Sequence, residues 1–264
     1  MNVFITGGTG YLGPATIAAL NAAGHSVSAL VRTPREVPGA TTVLGSLTDL
    51  DVLRSAASHA DAVIHLAADY GGDGARVDRE AALAMLSASG VYVHTGGVWV
   101  YGDTDGIADE DAPQNPPAIV AWRAENERLV LEAGGRLVMP GLVYGGHAGL
   151  IEQFFAGPLQ YIGDGANRWP LVHREDIADL YVRALDAPAG ARYLGVGPGE
   201  PTLREVVGAL GGSSSISLEA ARASMGPIAE AFALDQRFTS ARAHTELGWT
   251  PRFPDPLGEL ARPR

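Results

Sequence analysis

The amino-acid sequence predicts an α/β protein with a doubly wound parallel sheet and a small C-terminal lobe. Short runs of β-branched residues alternate with alanine-rich stretches of helical spacing along the first 145 residues. A glycine-rich turn joins the first strand to the first helix. Strict alternation of strand and helix is typical of βαβ units, whose parallel sheet is covered by helices on both faces.

The predicted elements follow one another from the N-terminus. The strands are NVFIT (2–6), SVSALVR (26–32), DAVIHLAA (61–68), VYVHT (91–95) and RLVMPG (136–141). The helices between them are YLGPATIAALNAAG (11–24), LTDLDVLRSAAS (47–58), DREAALAMLSASG (78–90) and AWRAENERLVLEAGG (121–135). Apolar runs of period two and amphipathic runs of period 3.6 separate the two classes, and the pattern predicts about six strands.

The remaining sequence predicts a second lobe. REDIADLYVRALDAP (174–188) is an amphipathic helix with Glu175 and Asp176 in its first turn, where carboxylates are favourable. ARYLGVG, TLREVVGALGG and SSSISL then predict a strand, a helix and a strand. We therefore expect a cofactor-binding domain over 1–145, to which 174–196 return, and a small lobe formed by 142–173 and 197–264. Open α/β folds bind ligands at the carboxyl edge of the sheet, where we expect this lobe to bind substrate.

Composition excludes several kinds of chemistry. The net charge of −11 disfavours a nucleic-acid partner, and the absence of cysteine excludes disulfides, thiolate catalysis and cysteine-ligated zinc. The seven histidines form no pair at a metal-ligand spacing, so we expect no metal. No apolar run approaches the roughly 20 residues that span a bilayer, and no basic leader opens the chain. We expect a cytoplasmic protein with no membrane partner.

The turn VFITGGTGYLG indicates a dinucleotide site. Gly7, Gly10 and Gly13 lie between a strand and a helix, where they permit a tight turn, close approach of a pyrophosphate, and helix–strand packing. The following helix N-terminus, with Tyr11 and Leu12, offers amide donors to an anion. An ordinary strand–helix turn is the alternative.

The end of the second strand favours NADP, with NAD as the second choice. An NAD site usually has an acidic residue there, whereas this chain has Arg32 after Val31, with Arg35 nearby. A guanidinium can bind a 2′-phosphate through charge-assisted hydrogen bonds. A solvated loop arginine is the alternative for Arg32.

Five motifs carry a family resemblance across nearly the whole chain. TGGTGYLG, DAVIHLAA, MPGLVYG, VHREDIADL and ELGWTP occur in this order. The sequence resembles the extended, atypical short-chain dehydrogenases/reductases, the NAD-dependent epimerase/dehydratase family with a Rossmann-type fold.

The resemblance implies further cofactor contacts. Leu66, Ala67 and Ala68 of HLAA should border the cofactor, and Val143 and Tyr144 should lie near the nicotinamide and the substrate. The loop of Ser46 and Leu47, before Asp49, should approach the adenine, although the family usually has an aspartate where this chain has Ser46.

The family's catalytic triad of a hydroxyl residue, a tyrosine and a lysine is altered here. Its hydroxyl position falls on Gly96 or Gly97, its tyrosine on Ile119, and its lysine on Arg123. Arg123 could still bond the cofactor ribose, but isoleucine transfers no proton. A positioned general acid is worth about 10² to 10⁴ in rate, so a substitute is needed for alcohol or carbonyl chemistry.

Candidate substitutes lie near the predicted pocket. Tyr70, Tyr101 and Tyr144 are candidate proton donors, and Thr95 is a candidate ligand for the substrate carbonyl. Packing with a surface hydroxyl is the alternative for each tyrosine. Relatives bind an anionic substrate group near Arg168 and His173, although His173 could equally be structural. Trp99, Trp122 and Trp169 would give an apolar pocket that suits a hydrophobic or polyketide-like substrate, with core packing as the alternative.

These features predict an atypical NADP-dependent oxidoreductase that acts on a small, hydrophobic carbonyl, imine or enone. Two alternatives stay open: a non-redox cyclase, isomerase or dehydratase of a biosynthetic pathway, and a binding protein that senses NADP(H). The expected partner is a small-molecule substrate. A homodimer through helices near 76–88 and 120–133 is also compatible with the sequence.

Overall fold

The structure is a computed structural model that describes residues 1–68, 72–146, 149–151 and 158–262. The chain divides into two compact units. The first comprises 1–96, 125–138 and 178–193, and the second comprises 97–124, 139–177 and 194–264. Residues 97–124 thus belong to the second unit, although they lie inside the range predicted for the cofactor-binding domain.

A seven-stranded sheet carries the first unit. Its strands in chain order are β1 (Asn2–Thr6), β2 (Ser26–Val31), β3 (Thr41–Leu44), β4 (Ala62–His65), β5 (Val91–Thr95), β6 (Arg136–Pro140) and β10 (Arg192–Gly195). The spatial order is β10-β6-β5-β4-β1-β2-β3, and every pairing from β3 across to β6 is parallel. The chain direction across the sheet reverses between β1 and β4, which is the switch point where such sheets bind ligands.

The α/β fold class is confirmed, and one strand of the main sheet was not predicted. β3 was not predicted, because Thr41, Thr42 and Leu44 are exposed and the segment has no apolar face. β10 lies within the segment ARYLGVG, which was predicted as a strand, and joins the main sheet beside β6.

The helices of the described residues are α1 (Gly13–Ala22), α2 (Leu50–Ser58), α3 (Gly74–Leu86), α4 (Ala121–Glu132), α5 (Arg174–Arg183), α6 (Leu203–Ala209), α7 (Leu218–Met225), α8 (Ile228–Phe232), α9 (Ala241–Leu247) and α10 (Pro256–Leu260). The helices α1 to α6 overlap predicted helices, whereas α7 to α10 were not predicted. α3 begins four residues before the predicted start, so its first turn contains Gly74 and Val77, which are buried. In the part of the chain that is described, no helix combines the length and apolar character needed to cross a membrane.

The second unit contains two short parallel pairs of strands. They are β7 (Leu142–Tyr144) with β9 (Leu171–His173), and β8 (Gln160–Ile162) with β11 (Ser214–Ile216). Trp169 and Phe232 pack at the centre of this unit, with ring centroids 5.4 Å apart. α6 begins with a capping box, in which Thr202 and Glu205 bond each other's backbone N–H groups.

A buried carboxylate fixes the C-terminal segment of the second unit. The backbone N–H groups of Arg252 and Phe253 donate to Oδ1 and Oδ2 of Asp176, at 2.9 and 3.2 Å. Nε1 of Trp249 donates to the carbonyl oxygen of Asp176 at 2.9 Å. Since Asp176 is buried, it replaces the water that these donors would otherwise bind.

We predict that Asp176→Asn lowers the free energy of unfolding by about 1–3 kcal/mol, because an amide accepts one of these N–H groups and turns a donor towards the other. Urea unfolding of both proteins measures the difference. Asp179→Asn is the matched control, since Asp179 only forms a half-exposed pair with Arg183 and should cost well under about 1 kcal/mol. Equal losses in the two variants would contradict the assigned role of Asp176.

Candidate functional site

The glycine loop of the first unit requires glycine at two positions. Gly7 has φ +75°, and a Cβ there would lie 2.7 Å from the backbone nitrogen of Ala67. A Cβ on Gly13 would lie 2.3 Å from the carbonyl carbon of Gly8. Gly10 is less constrained, since its Cβ would meet only the carbonyl oxygen of Gly7, at 3.2 Å. The loop backbone therefore packs tightly against Ala67 at Gly7 and against its own residue Gly8 at Gly13.

The start of α1 carries no acidic side chain of its own. Leu12 occupies the N-cap position without a side-chain hydrogen bond, Pro14 follows in the first turn, and the first turn contains no acidic residue. Tyr11 and Leu12 are half-buried beside it. A helix N-terminus of this kind presents backbone N–H groups and the positive end of the helix dipole, an arrangement that suits a phosphate.

Arg32 follows directly after β2. Its side chain is exposed and makes no hydrogen bond or ion pair with the residues that the structure describes. In the loop after β3, by contrast, Ser46 already has a hydrogen-bond partner. Its backbone N–H and its hydroxyl both donate to Oδ2 of Asp49, at 2.7 and 2.9 Å. Leu47 beside it is half-buried.

The segment after β4 lies against the glycine loop. The backbone N–H of Leu66 donates to the carbonyl oxygen of Thr6 at 3.1 Å, and that of Ala67 donates to Oγ1 of Thr6 at 3.4 Å. Leu66, Ala67 and Ala68 are half-buried. The structure thus brings together the two segments, around Gly7 and around Ala67, that were predicted separately as cofactor contacts.

A buried cluster that the sequence analysis missed lies below this segment. His65 is the last residue of β4, His94 is the last but one of β5, the two are paired in register, and Asp78 reaches them from α3. Nε2 of His65 lies 3.4 Å from Oδ1 of Asp78, and Nε2 of His94 lies 3.8 Å from Oδ2. The ligating atoms of all three side chains are within 4.8 Å of one another. Histidine at the end of both VIH and VYVH was the available signal, since parallel strands that end together place such residues side by side.

Three polar side chains surround the cluster. Oγ1 of Thr6 lies 2.5 Å from Nδ1 of His65, and the hydroxyl of Tyr92 lies 3.1 Å from Nδ1 of His94. Nδ2 of Asn126 donates to Oδ2 of Asp78 at 2.8 Å. Burial alone would raise the pKa of Asp78, but the contact with His65 and the electrostatic interactions with His94 and His65 outweigh it. The net effect lowers the pKa of Asp78, so this buried carboxyl group stays ionised.

The hydroxyl of Thr95 is engaged within the first unit. Oγ1 donates to the carbonyl oxygen of His65 at 2.7 Å and lies 2.9 Å from the hydroxyl of Tyr181. A threonine hydroxyl has one proton, and here that proton bonds the backbone. Thr95 could polarise a substrate carbonyl only after giving up this bond.

Two of the three candidate tyrosines lie in the core of the second unit. The hydroxyl of Tyr101 donates to the carbonyl oxygen of Glu110 at 3.0 Å, and that of Tyr144 donates to the carbonyl oxygen of Phe253 at 3.3 Å. Both side chains are about 1% exposed, and burial raises the pKa of Tyr144. Tyr70 lies outside the described residues.

The aromatic and basic candidates of the second unit differ in accessibility. Trp169 is buried, and its Nε1 donates to the carbonyl oxygen of Phe232 at 3.0 Å. Trp99 is half-buried and meets Phe232 edge to face. Arg168 is half-buried, and one of its guanidinium nitrogens donates to the carbonyl oxygen of Glu200 at 2.6 Å.

His173 and Arg123 are held by their neighbours. The ring of His173 stacks on Phe253 with centroids 3.5 Å apart, and its Nδ1 accepts the backbone N–H of Glu175 at 3.2 Å. Burial lowers the pKa of His173, which favours the neutral ring. Arg123, in the first turn of α4, lies over the ring of Trp122 at 4.8 Å from its centroid.

Comparison with known proteins identifies the family. Residues 3–194 match the NAD dependent epimerase/dehydratase family. The chain belongs to this family. Its curated relatives include a 3-diazoavenalumate denitrifying reductase of a Streptomyces species, which is 29% identical over 312 residues that cover 99% of this chain and 100% of the relative.

Solved structures share the fold. DesIV, a dTDP-glucose 4,6-dehydratase of Streptomyces venezuelae solved with NAD, has a TM-score of 0.81 and 22% identity and covers 99% of this chain and 96% of its own. The human epimerase family protein SDR39U1, solved with NADPH, has a TM-score of 0.78 and 23% identity and covers 99% of each chain. The predicted Rossmann-type architecture is confirmed by these likenesses.

We predict a specific pH dependence for the contribution of Asp78 to stability. Its pKa is lower in the folded chain than in the unfolded chain, where aspartate titrates near about 3.9. The contribution is therefore complete above that pH and declines as the pH falls below it. At pH 7, Asp78→Asn should lower the free energy of unfolding by about 3–5 kcal/mol, and the difference from wild type should shrink below about pH 4.

Urea unfolding of both proteins between pH 3 and pH 7 measures this difference. Asp51→Asn is the matched control, since Asp51 is fully exposed and pairs only with Arg54, and it should change stability little at any pH. A difference between wild type and Asp78→Asn that grows on acidification would show that the carboxyl group is protonated in the folded chain.

Proposed function

We propose that this chain is an NADP-dependent oxidoreductase that reduces a small, hydrophobic carbonyl, imine or enone. The observation that carries the proposal is the tightly packed glycine loop together with the exposed Arg32 at the end of β2, which has no partner among the residues that the structure describes. Membership of the NAD dependent epimerase/dehydratase family and the reductase named among the relatives support the same class of reaction.

The residues of the first unit fit a dinucleotide. Gly7 and Gly13 lie where a Cβ would overlap the backbone, so the loop presents main-chain atoms rather than side chains at the start of α1. Those N–H groups would bind the diphosphate, and Leu66 and Ala67 would border it. When bound, the nicotinamide ring would supply or accept a hydride at the substrate carbon.

Arg32 supports NADP over NAD. The exposed guanidinium at the end of the second strand can bond a 2′-phosphate, whereas Ser46, the polar candidate on the adenine side, already donates to Asp49. The NADPH in the structure of SDR39U1 is in keeping with this choice.

The proton supply limits the substrate class. Tyr101 and Tyr144 are buried and donate to backbone carbonyls, so neither offers a hydroxyl to a substrate in this conformation. Tyr70 is then the remaining tyrosine candidate. Imines and conjugated carbonyls demand less of a proton donor at the reacting heteroatom, and reduction of such a group would depend least on the altered triad.

The same two buried tyrosines favour a second candidate function. A chain with the dinucleotide site and no positioned acid could bind NADP(H) without transferring a hydride, and so act as a sensor or as a non-redox enzyme. Product formation that continues after removal of the cofactor would identify the non-redox enzyme.

We predict that Arg32→Glu weakens NADPH binding by about 10- to 100-fold, because a charge-assisted hydrogen bond contributes roughly 1.5–3 kcal/mol, while NADH binding changes little. Titration of tryptophan emission, with energy transfer to the dihydronicotinamide, measures both affinities. Arg54→Glu on α2 is the control of equal charge change, and it should leave the ratio of the two affinities as in wild type. An unchanged ratio in Arg32→Glu would exclude the proposed phosphate contact.

We predict that Tyr70→Phe lowers kcat by about 10²- to 10⁴-fold for a substrate found by screening NADPH oxidation, because the variant lacks the proposed acid. Tyr101→Phe and Tyr144→Phe should keep kcat within a few-fold and instead lower thermal stability, since each loses a buried hydrogen bond. Loss of turnover in a folded Tyr101→Phe or Tyr144→Phe protein, with Tyr70→Phe fully active, would refute this assignment.

A further inference from the structure

The Asp78 cluster is connected to the glycine loop by a continuous chain of polar contacts. Oγ1 of Thr6 accepts the backbone N–H of Ala67 and lies 2.5 Å from Nδ1 of His65. Nε2 of His65 faces Oδ1 of Asp78 at 3.4 Å and makes no hydrogen bond to the described part of the chain. Thus Asp78, His65, Thr6 and Ala67 form one series.

The carboxylate decides which ring nitrogen of His65 carries the proton. The hydroxyl of Thr6 receives the N–H of Ala67, and its own proton can go to Nδ1 of His65. The ring proton then lies on Nε2, which faces the ionised carboxyl group of Asp78. A ring with its proton on Nδ1 would instead donate to Thr6 and leave the lone pair of Nε2 facing the negatively charged carboxylate of Asp78, which is unfavourable.

The series ends at Ala67, which lies beside the glycine loop of the proposed dinucleotide site. Gly7 approaches Ala67 so closely that a Cβ on Gly7 would lie 2.7 Å from the nitrogen of Ala67. The hydroxyl of Thr95 holds the carbonyl oxygen of His65 from the other side. A shift of Ala67 would therefore change the space available at the loop, since the approach is between backbone atoms with no flexible side chain between them.

We propose that Asp78 is a positioning residue for the dinucleotide, which acts through His65 and Thr6 to hold Ala67 against the glycine loop. The inference rests on the proposed function, because it concerns the same site. It assigns a role to a residue of α3 that would not touch the dinucleotide.

A metal site is the competing explanation for these three side chains. Zinc prefers histidine and carboxylate ligands, but structural zinc has four of them, whereas the described part of the cluster offers three. The hydrogen bonds of the outer ring nitrogens and the carboxylate to Thr6, Tyr92 and Asn126 are compatible with either explanation. The series of polar contacts also accounts for the hydrogen bond from Ala67 to Thr6, which a metal ion would leave unexplained.

The test compares NADPH affinities of the full chain by transfer of tryptophan emission, well below each protein's unfolding temperature. Asp78→Asn and Thr6→Val should each weaken binding about tenfold, since a small displacement of a binding wall is costly. Thr6→Ser keeps the hydroxyl and should bind as wild type does. Val63→Ala removes a buried β4 side chain outside the series, and it should lower stability while leaving affinity unchanged.

Four results would overturn the inference. Wild-type affinity in Asp78→Asn would show that the carboxyl group does not act on the site, and weak binding by Thr6→Ser would show that the hydroxyl is not what matters. An equal loss of NADPH affinity in Val63→Ala would show that the loss comes from general instability of the fold. One equivalent of zinc per chain in elemental analysis, absent from Asp78→Asn, would make the cluster a metal centre. A wild-type chain that binds neither NADPH nor NADH would instead refute the proposed function itself.

Discussion

The close approach of Gly7 and Ala67 is the constraint on which the candidate site depends. The two backbones meet at the switch point of the sheet, between β1 and β4, and no side-chain atom fits between them. The position of Ala67 therefore determines the shape of the loop, and the left-handed conformation of Gly7 allows the loop to turn there. β1 and β4 are fully buried along their paired segments, so the sheet fixes both backbones from below.

Polar groups under this contact are unusually well buried for ionisable side chains. His65, Asp78 and His94 lie inside the first unit, where a charged group without partners would be strongly destabilising. These side chains are shielded from solvent, so a structural role beside the loop suits them better than proton exchange with water. In the second unit, the candidate proton donors Tyr101 and Tyr144 already donate to backbone carbonyl oxygens. Neither hydroxyl is available to a substrate in this arrangement.

Much of the fold could be predicted from local pattern. The bounds of β1 and β5 match the prediction at every residue, because short β-branched runs between turn residues leave little ambiguity. β3 has exposed threonines and no apolar face, so its pairing with β2 is set by the sheet rather than by its own sequence. The glycine spacing and the arginine after β2 are also local features, and both could be found before the structure.

The contacts inside the site could not be predicted in the same way. Asp78 is 13 residues from His65 and 16 residues from His94, and only the parallel register of β4 and β5 with the placement of α3 brings them together. The burial of Tyr101 and Tyr144 depends on tertiary packing that an isolated tyrosine beside a strand does not reveal. The residue type shows that a tyrosine could donate a proton. Whether its hydroxyl is available to a substrate depends on the hydrogen bond that it already makes in the folded chain.

A crystal structure of the chain with NADPH tests the central claim most directly. The account predicts the diphosphate against the backbone of residues 7–13, the adenosine 2′-phosphate at Arg32, and Ala67 in van der Waals contact with the dinucleotide. A nucleotide bound elsewhere, or a side chain occupying the start of α1 while the dinucleotide stays away from the loop, would contradict it.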